Sequence, residues 1–282
     1  MNLTSAAQVK KLLADHDLRP KKRLGQNFLV DRNVLDRLIA ATGAGPGVNV
    51  LEIGPGLGVV TRELAERGAR VVCVEADHQL APVLESVLSG TGAEIIIEDF
   101  LKIDLSGFLA ERGDERWVVV GNLPYYITSP IIAKLLESKR FVSEILMMVQ
   151  REVAARLQAR AGSEDYGALT VFVQYHCTVE SVMKVSRNVF YPVPDVDSEI
   201  VRLRVREQPP AEVADEALFF KVVRAAFGKR RKTLVNALGD SVDLKWDKDF
   251  AGSVIHSAGI DPGRRGETLD IEEFARLANS AG

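Results

Sequence analysis

The stretch VLEIGPGLGVVTRELAERG, residues 50–68, constrains this chain more than any other. It reads as an apolar strand, a glycine-rich turn and a helix with apolar residues at three- and four-residue spacing. A second apolar run, ARVVCVEA, follows at once and ends on an acid, so the unit is strand, helix, strand. The same alternation continues to about residue 150. AEIIIED, RWVVVGN and SEILMMVQ are the further strands, and HQLAPVLESVL and PIIAKLLES the further helices. Strand–helix alternation predicts an α/β, Rossmann-like parallel sheet with helices on both faces. ESVMKVS and EIVRLRV read as added strands, antiparallel at one edge. Two prolines in REQPPAEV (206–213) interrupt any regular element, and ADEALFFKVVRAAF, RRKTLVNALG and IEEFARLA beyond them are helical patterns. The expected division is residues 1–207 as the sheet domain and 208–282 as a small helical one.

Gly54, Gly56 and Gly58 let the backbone pass close under a ligand, with free N–H groups at the start of the next helix. Glu75 ends the second strand, 21 positions after Gly54, where a carboxylate suits the two hydroxyls of a ribose. That order of parts points to an adenosine-containing cofactor without separating NAD from S-adenosylmethionine. The dinucleotide pattern GxGxxG would need glycine where Val59 stands, and Glu52 precedes the first glycine. ExGxGxG therefore resembles a nucleoside-methyltransferase loop better. Asp99, at the end of the IIIE strand, can accept from an adenine amine or cap a turn; local sequence does not separate the two.

VVVGNLPYYIT (118–128) is a buried-strand pattern ending in an amide, a stiff bend and two phenol rings. Gly121 lets the backbone approach something closely and Pro124 keeps the turn from becoming helix. At the carboxyl end of a parallel strand these groups lie where ligands bind. The exocyclic amine of adenine is a poor nucleophile, its lone pair delocalised into the ring. The Asn122 side-chain carbonyl and the Leu123 backbone carbonyl would hold its two hydrogens and aim its nitrogen at a sulfonium methyl. Tyr125 would stack on the base, and no histidine or lysine base is required.

Composition is that of an ordinary globular protein, 46% hydrophobic and 27% charged. No apolar run approaches the roughly 20 residues of a membrane-spanning helix. The N-terminus lacks a signal-peptide core, two cysteines occur in unrelated contexts, and four scattered histidines suggest no metal site. A reducing, cytoplasmic setting is expected, with Cys73 a core residue. The net charge of −3 is uneven: residues 1–40 carry +4 and residues 219–240 carry +5, against −12 elsewhere. Lys21, Lys22 and Arg23 in RPKKR, and Arg230, Arg231 and Lys232 in KRRK, form either a solvated charged face or the electrostatic footprint of a nucleic-acid binder. KRRK is read as the start of a helix.

RLGQNFLVD, LEIGPGLG, VVGNLPYYIT, VFYPVPDVDS, AFGKRRKTLVNALG and GIDPGRRGE together resemble the adenine-N6,N6 ribosomal RNA dimethyltransferases over nearly the whole chain. Within them, the resemblance is closer to the bacterial enzymes that modify two adjacent adenosines near the 3′ end of small-subunit (16S) rRNA. It implies that the GQNFL segment closes over S-adenosylmethionine, with Asn27 and Leu29 at the cofactor. It likewise assigns Gly54, Gly56, Glu75, Asp99 and Asn122 to cofactor contact, and Tyr125 and Phe190 to an aromatic sandwich around the target base. Without it, Phe190 reads as a strand-end core residue. Some relatives carry Asn after NLPY where this chain has Tyr126. The implied substrate is small-subunit rRNA in a pre-ribosomal particle, acted on by a monomer. The alternatives are a macrolide-resistance-type large-subunit dimethyltransferase and a non-catalytic RNA-binding assembly factor. A DNA adenine methyltransferase is disfavoured by Leu123 and by the lack of a sizeable target-recognition domain. An NAD dehydrogenase is disfavoured by the lack of a hydride-transfer constellation.

Overall fold

A computed structural model describes residues 3–113, 115–123, 127–229 and 231–282, with the backbone alone at Lys22. The elements run α1 (Ala6–Asp15), β1 (Phe28–Leu29), α2 (Arg32–Thr42), β2 (Asn49–Ile53), α3 (Val59–Glu66), β3 (Arg70–Glu75), α4 (Ala81–Val87), β4 (Glu94–Ile97), α5 (Leu105–Ala110), β5 (Trp117–Asn122), α6 (Thr128–Glu137) and β6 (Val142–Gln150). They continue as α7 (Arg151–Gln158), α8 (Ala168–His176), β7 (Cys177–Val185), β8 (Phe190–Tyr191), β9 (Ser198–Val205), α9 (Glu216–Gly228), α10 (Leu234–Gly239), α11 (Lys248–Ser257) and α12 (Ile271–Asn279).

Seven strands form one sheet in the order β4-β3-β2-β5-β6-β9-β7. The five apolar runs read from sequence are its parallel part, β2 to β6. β9 pairs antiparallel with β6, and β7 lies beyond it at the edge. β2 has β3 on one side and β5 on the other, so the strand order reverses there. In open α/β sheets the crevice at such a point, outside the carboxyl ends of the strands, is where ligands bind. Ile53 is paired with Gly121, so the glycine turn and Asn122 emerge side by side at this place. β1 and β8 form a separate two-stranded antiparallel ribbon.

The chain divides into two compact units, residues 1–154 with 180–205 and residues 155–179 with 206–282. These compact units differ from the single division expected at 207/208. α8 buries Val171 and Tyr175 in one apolar cluster with Phe219, Val222 and Phe274, so it belongs with the later helices. The reading of KRRK is corrected. α9 ends at Gly228 and Thr233 stands at the N-cap of α10, so Lys229, Arg231 and Lys232 lie between two helices and do not begin one. Among the described residues no helix is long and apolar enough to cross a membrane.

Candidate active site

The turn after β2 requires glycine for backbone reasons at Gly54, whose φ is +71° with open space where a Cβ would stand. At Gly56, with φ +58°, space is limiting as well: a Cβ there would lie 3.1 Å from the Phe28 ring. Gly58 then stands at the N-cap of α3. These glycines open a pocket in the first unit that is lined by Asn27, Leu29, Gly54, Gly56, Glu75, Asp99 and Asn122. Seven residues singled out from sequence, spread over 96 positions, thus converge on one cavity.

Glu75 ends β3 and is 6% exposed. Its Oε2 accepts from the Gly56 N–H at 3.1 Å and its Oε1 from the Asp77 N–H at 2.8 Å. Burial raises its pKa, opposed by those backbone donors. Asp99 does both things open to it: it lines the pocket, and its Oδ1 accepts from the Leu101 N–H at 3.0 Å. Asn122 is the last residue of β5, and its Nδ2 donates to the Asn27 backbone carbonyl at 3.0 Å. The Asn27 side chain instead donates to the Gly25 carbonyl.

Other expectations change. Gly121 does make room, but for its own sheet: an added Cβ would stand 2.9 Å from Leu123 Cδ2 and 3.1 Å from the Ile53 carbonyl oxygen. Leu123 folds back into the core, leaving only its backbone for chemistry. Phe190 is 3% exposed, paired with Leu29 across the β1–β8 ribbon and packed in the core of the first unit. This is the strand-end core position its local sequence suggests. Tyr125, with Pro124 and Tyr126, lies outside the described residues, as does Arg230. Lys21, read as an RNA cation, donates from Nζ to Asp77 Oδ1 at 2.6 Å. Lys232 is bonded to Asp240, while Arg23 and Arg231 are exposed.

Sequence reasoning missed a buried pair beneath the glycine turn. Thr61 Oγ1 donates to Glu52 Oε2 at 2.5 Å. Burial first, then the charge of Glu75, pushes the Glu52 carboxyl up to about 7, with the Thr61 bond opposing. Burial likewise pushes the neighbouring Cys73 thiol up to about 12, so this cysteine is an inert core residue. A carboxyl raised from 4.5 to about 7 favours folding while protonated. That contribution is whole below its unfolded pKa and is lost as pH rises through the folded one. Its ionisation costs about 3 kcal/mol of stability by pH 8. Glu52→Gln should therefore stabilise the cofactor-free protein at pH 8 and change little at pH 5, read from urea unfolding. Parallel pH profiles for the two proteins would contradict a buried, proton-holding Glu52.

A crevice at the strand-order reversal, with a carboxylate ending one strand and an amide ending its neighbour but one, defines a Rossmann-like α/β protein built for an adenosine-containing cofactor. A family model described as ribosomal RNA adenine dimethylase matches residues 18–281, and this chain belongs to that family. A ribosomal RNA small subunit methyltransferase A of Geobacillus thermodenitrificans is 46% identical over 283 residues, covering 99% of this chain and 97% of the relative. The protein of that name from Bacillus cereus is 44% identical over the same span, with the same shares covered. Among solved structures, the 23S rRNA methyltransferase ErmE is 33% identical with TM-score 0.67, covering 90% of this chain and 99% of its own. A dimethyladenosine transferase from Plasmodium falciparum has TM-score 0.73 at 25% identity, with 88% and 95% covered.

Proposed function

We propose that this enzyme transfers methyl groups from S-adenosylmethionine to N6 of two adjacent adenosines near the 3′ end of small-subunit (16S) rRNA, giving N6,N6-dimethyladenosine. The observation that carries it is the adjacency of the glycine turn and Asn122 at the strand-order reversal, with Glu75 on the next strand. Family membership and the names of the 46% and 44% identical relatives support the rRNA substrate and the small subunit. A cytoplasmic monomer acting on a pre-ribosomal particle fits this reading.

The residues fit the cofactor. Glu75, already held by two backbone donors, offers carboxylate oxygens to the ribose hydroxyls, and Asp99 an acceptor to the adenine amine. Asn27 and Leu29 line the pocket from the segment that precedes α2. When bound, S-adenosylmethionine supplies an electrophilic sulfonium methyl. Asn122, its amide nitrogen engaged by Asn27, turns its carbonyl oxygen to one hydrogen of the target amine; the Leu123 backbone carbonyl takes the other. The nitrogen lone pair is thereby aimed for in-line attack. The new C–N bond would replace the donor's C–S bond, leaving S-adenosylhomocysteine as the released product, and the amine proton would pass to water. A second transfer, in which the one remaining amine hydrogen is held by one of the two carbonyls, completes each adenosine. Tyr125 stacks on the base, and Phe190 completes the sandwich if its buried face is uncovered when the base enters.

The test is transfer of radiolabelled methyl groups to small-subunit particles, naked large-subunit RNA and duplex DNA. Labelling of the small-subunit particle alone, as dimethyladenosine, is expected. Labelling of large-subunit RNA alone would favour the macrolide-resistance type, and no labelling a non-catalytic assembly factor.

RNA docking through the second unit leads to a separate expectation. Arg231 is exposed, whereas Lys232 is tied to Asp240. Arg231→Ala should lower the salt slope of particle binding by roughly 0.7–0.9, the release of one phosphate contact. Lys232→Ala should lower it less, and both should leave S-adenosylmethionine affinity unchanged. Equal slopes for wild type and Arg231→Ala would return that arginine to the solvated surface.

A further inference from the structure

Residues 21–29 form a strap, its residues 24–29 lining the pocket, that is fastened at several points. The turn at its start is closed on itself: the Lys21 N–H donates to Gln26 Oε1 at 2.8 Å, and the Leu24 N–H to the Lys21 carbonyl at 3.0 Å. Both side chains then reach the same carboxylate. Lys21 Nζ donates to Asp77 Oδ1 at 2.6 Å, and Gln26 Nε2 to Asp77 Oδ2 at 2.8 Å. Farther on, the Asn27 carbonyl accepts from Asn122, the Phe28 ring lies over Gly56, and Phe28 and Leu29 pair with Tyr191 and Phe190.

Asp77 is more than an anchor for the strap. Its own N–H donates to Glu75 Oε1, so one residue orients the expected ribose acceptor and fastens the cover of the same pocket. Asp77 is 5% exposed. Burial alone would raise its pKa, but the Lys21 and Gln26 bonds outweigh that and hold it below the usual carboxylate range. The Lys21 bond joins opposite charges with the carboxylate largely out of water, the setting in which such a bond matters most.

We infer that Lys21, Gln26 and Asp77 form a clasp that keeps the strap closed over the methyl-donor pocket, and that Lys21 is a positioning residue for the cofactor and for Asn122. A continuous series of contacts links Glu75, Asp77, the strap and, through the Asn27 carbonyl, the amide of Asn122. Cofactor leaving Glu75 must part the strap from Asp77, and a loosened strap releases the partner that orients Asn122. The inference rests on the reading of this pocket as the S-adenosylmethionine site.

The experiment is stopped-flow release of S-adenosylmethionine from the full chain, with steady-state kinetics on small-subunit particles. Lys21→Met keeps the stem and removes the charge, Lys21→Arg keeps the charge, and Gln26→Ala removes the second arm. Lys21→Met should speed release roughly tenfold, the scale of one lost charge-assisted hydrogen bond. KM for S-adenosylmethionine should rise by a similar factor and kcat fall less. Lys21→Arg should recover most of the loss, Gln26→Ala should show a smaller change of the same sign, and the salt slope of particle binding should stay at the wild-type value. Wild-type release with a shallower salt slope in Lys21→Met would overturn the clasp and return Lys21 to RNA contact. Lys21→Arg releasing cofactor as fast as Lys21→Met would also overturn it. A wild-type chain that binds no S-adenosylmethionine would overturn both the clasp and the reading beneath it.

Discussion

Replacing Asn122 by alanine is expected to lower the single-turnover rate of methyl transfer by at least about 100-fold, the cost of losing alignment at a reacting centre. Two effects act together. The proposed amine acceptor at the end of β5 disappears, and the Asn27 carbonyl loses the donor that it meets at 3.0 Å. Asn122→Asp separates them in part. It keeps an acceptor for the amine but faces the Asn27 carbonyl with a second acceptor, so it should bind cofactor less tightly and stay slow. Calorimetry should find cofactor affinity reduced only severalfold in Asn122→Ala, because Glu75 and the glycine turn are untouched. The decisive comparison is single-turnover rate at saturating cofactor and particle. A near-normal rate there would remove Asn122 from the chemistry and leave it as a fastening for the strap.

What sequence reveals here is whatever depends on local pattern. β2 to β6 are legible because each is an apolar run bounded by charge or glycine, and the glycine spacing is legible because φ at Gly54 admits little else. Glu75 and Asn122 could be placed because strand ends in a parallel sheet are predictable positions. The errors concern partners that no local pattern announces. Lys21 looks like one cation in a basic run, and nothing near it announces Asp77, 56 positions away. Lys232 likewise belongs to a basic run by sequence and to Asp240 by structure. Gly121 correctly signals a close approach, yet what approaches is Leu123 from the same turn. In α8 the run TVFVQYH has little helical patterning, being rich in β-branched and aromatic residues; burial among the later helices decides its form.

The GIDPGRRGE segment leads to the second large effect, a structural one. Its glycine and arginine hold the helical unit together. The Leu234 N–H, at the start of α10, donates to the Arg264 carbonyl at 2.7 Å, and the Arg264 guanidinium makes bonds of 2.5 and 2.9 Å to the two oxygens of Glu273 on α12. Gly266 brings this loop onto α9. A Cβ at that position would stand 2.7 Å from the Ala226 carbonyl oxygen and 2.8 Å from its Cβ. Neither is the end of a flexible side chain, so α9 or the loop must shift. Gly266→Ala should cost about 3 kcal/mol, the upper part of the range for forcing atoms into a packed core. The loss should fall on the helical unit, where α9, α10 and α12 meet this loop. Thermal unfolding of the variant is expected to show an early transition of roughly 10–20 °C below wild type. Cofactor affinity, set by the sheet unit, should persist below that transition, while binding to small-subunit particles weakens. A variant that melts with wild type would mean that the loop can move aside, and that Gly266 is not required by packing. One that loses cofactor binding together with particle binding would mean that the two units unfold as one.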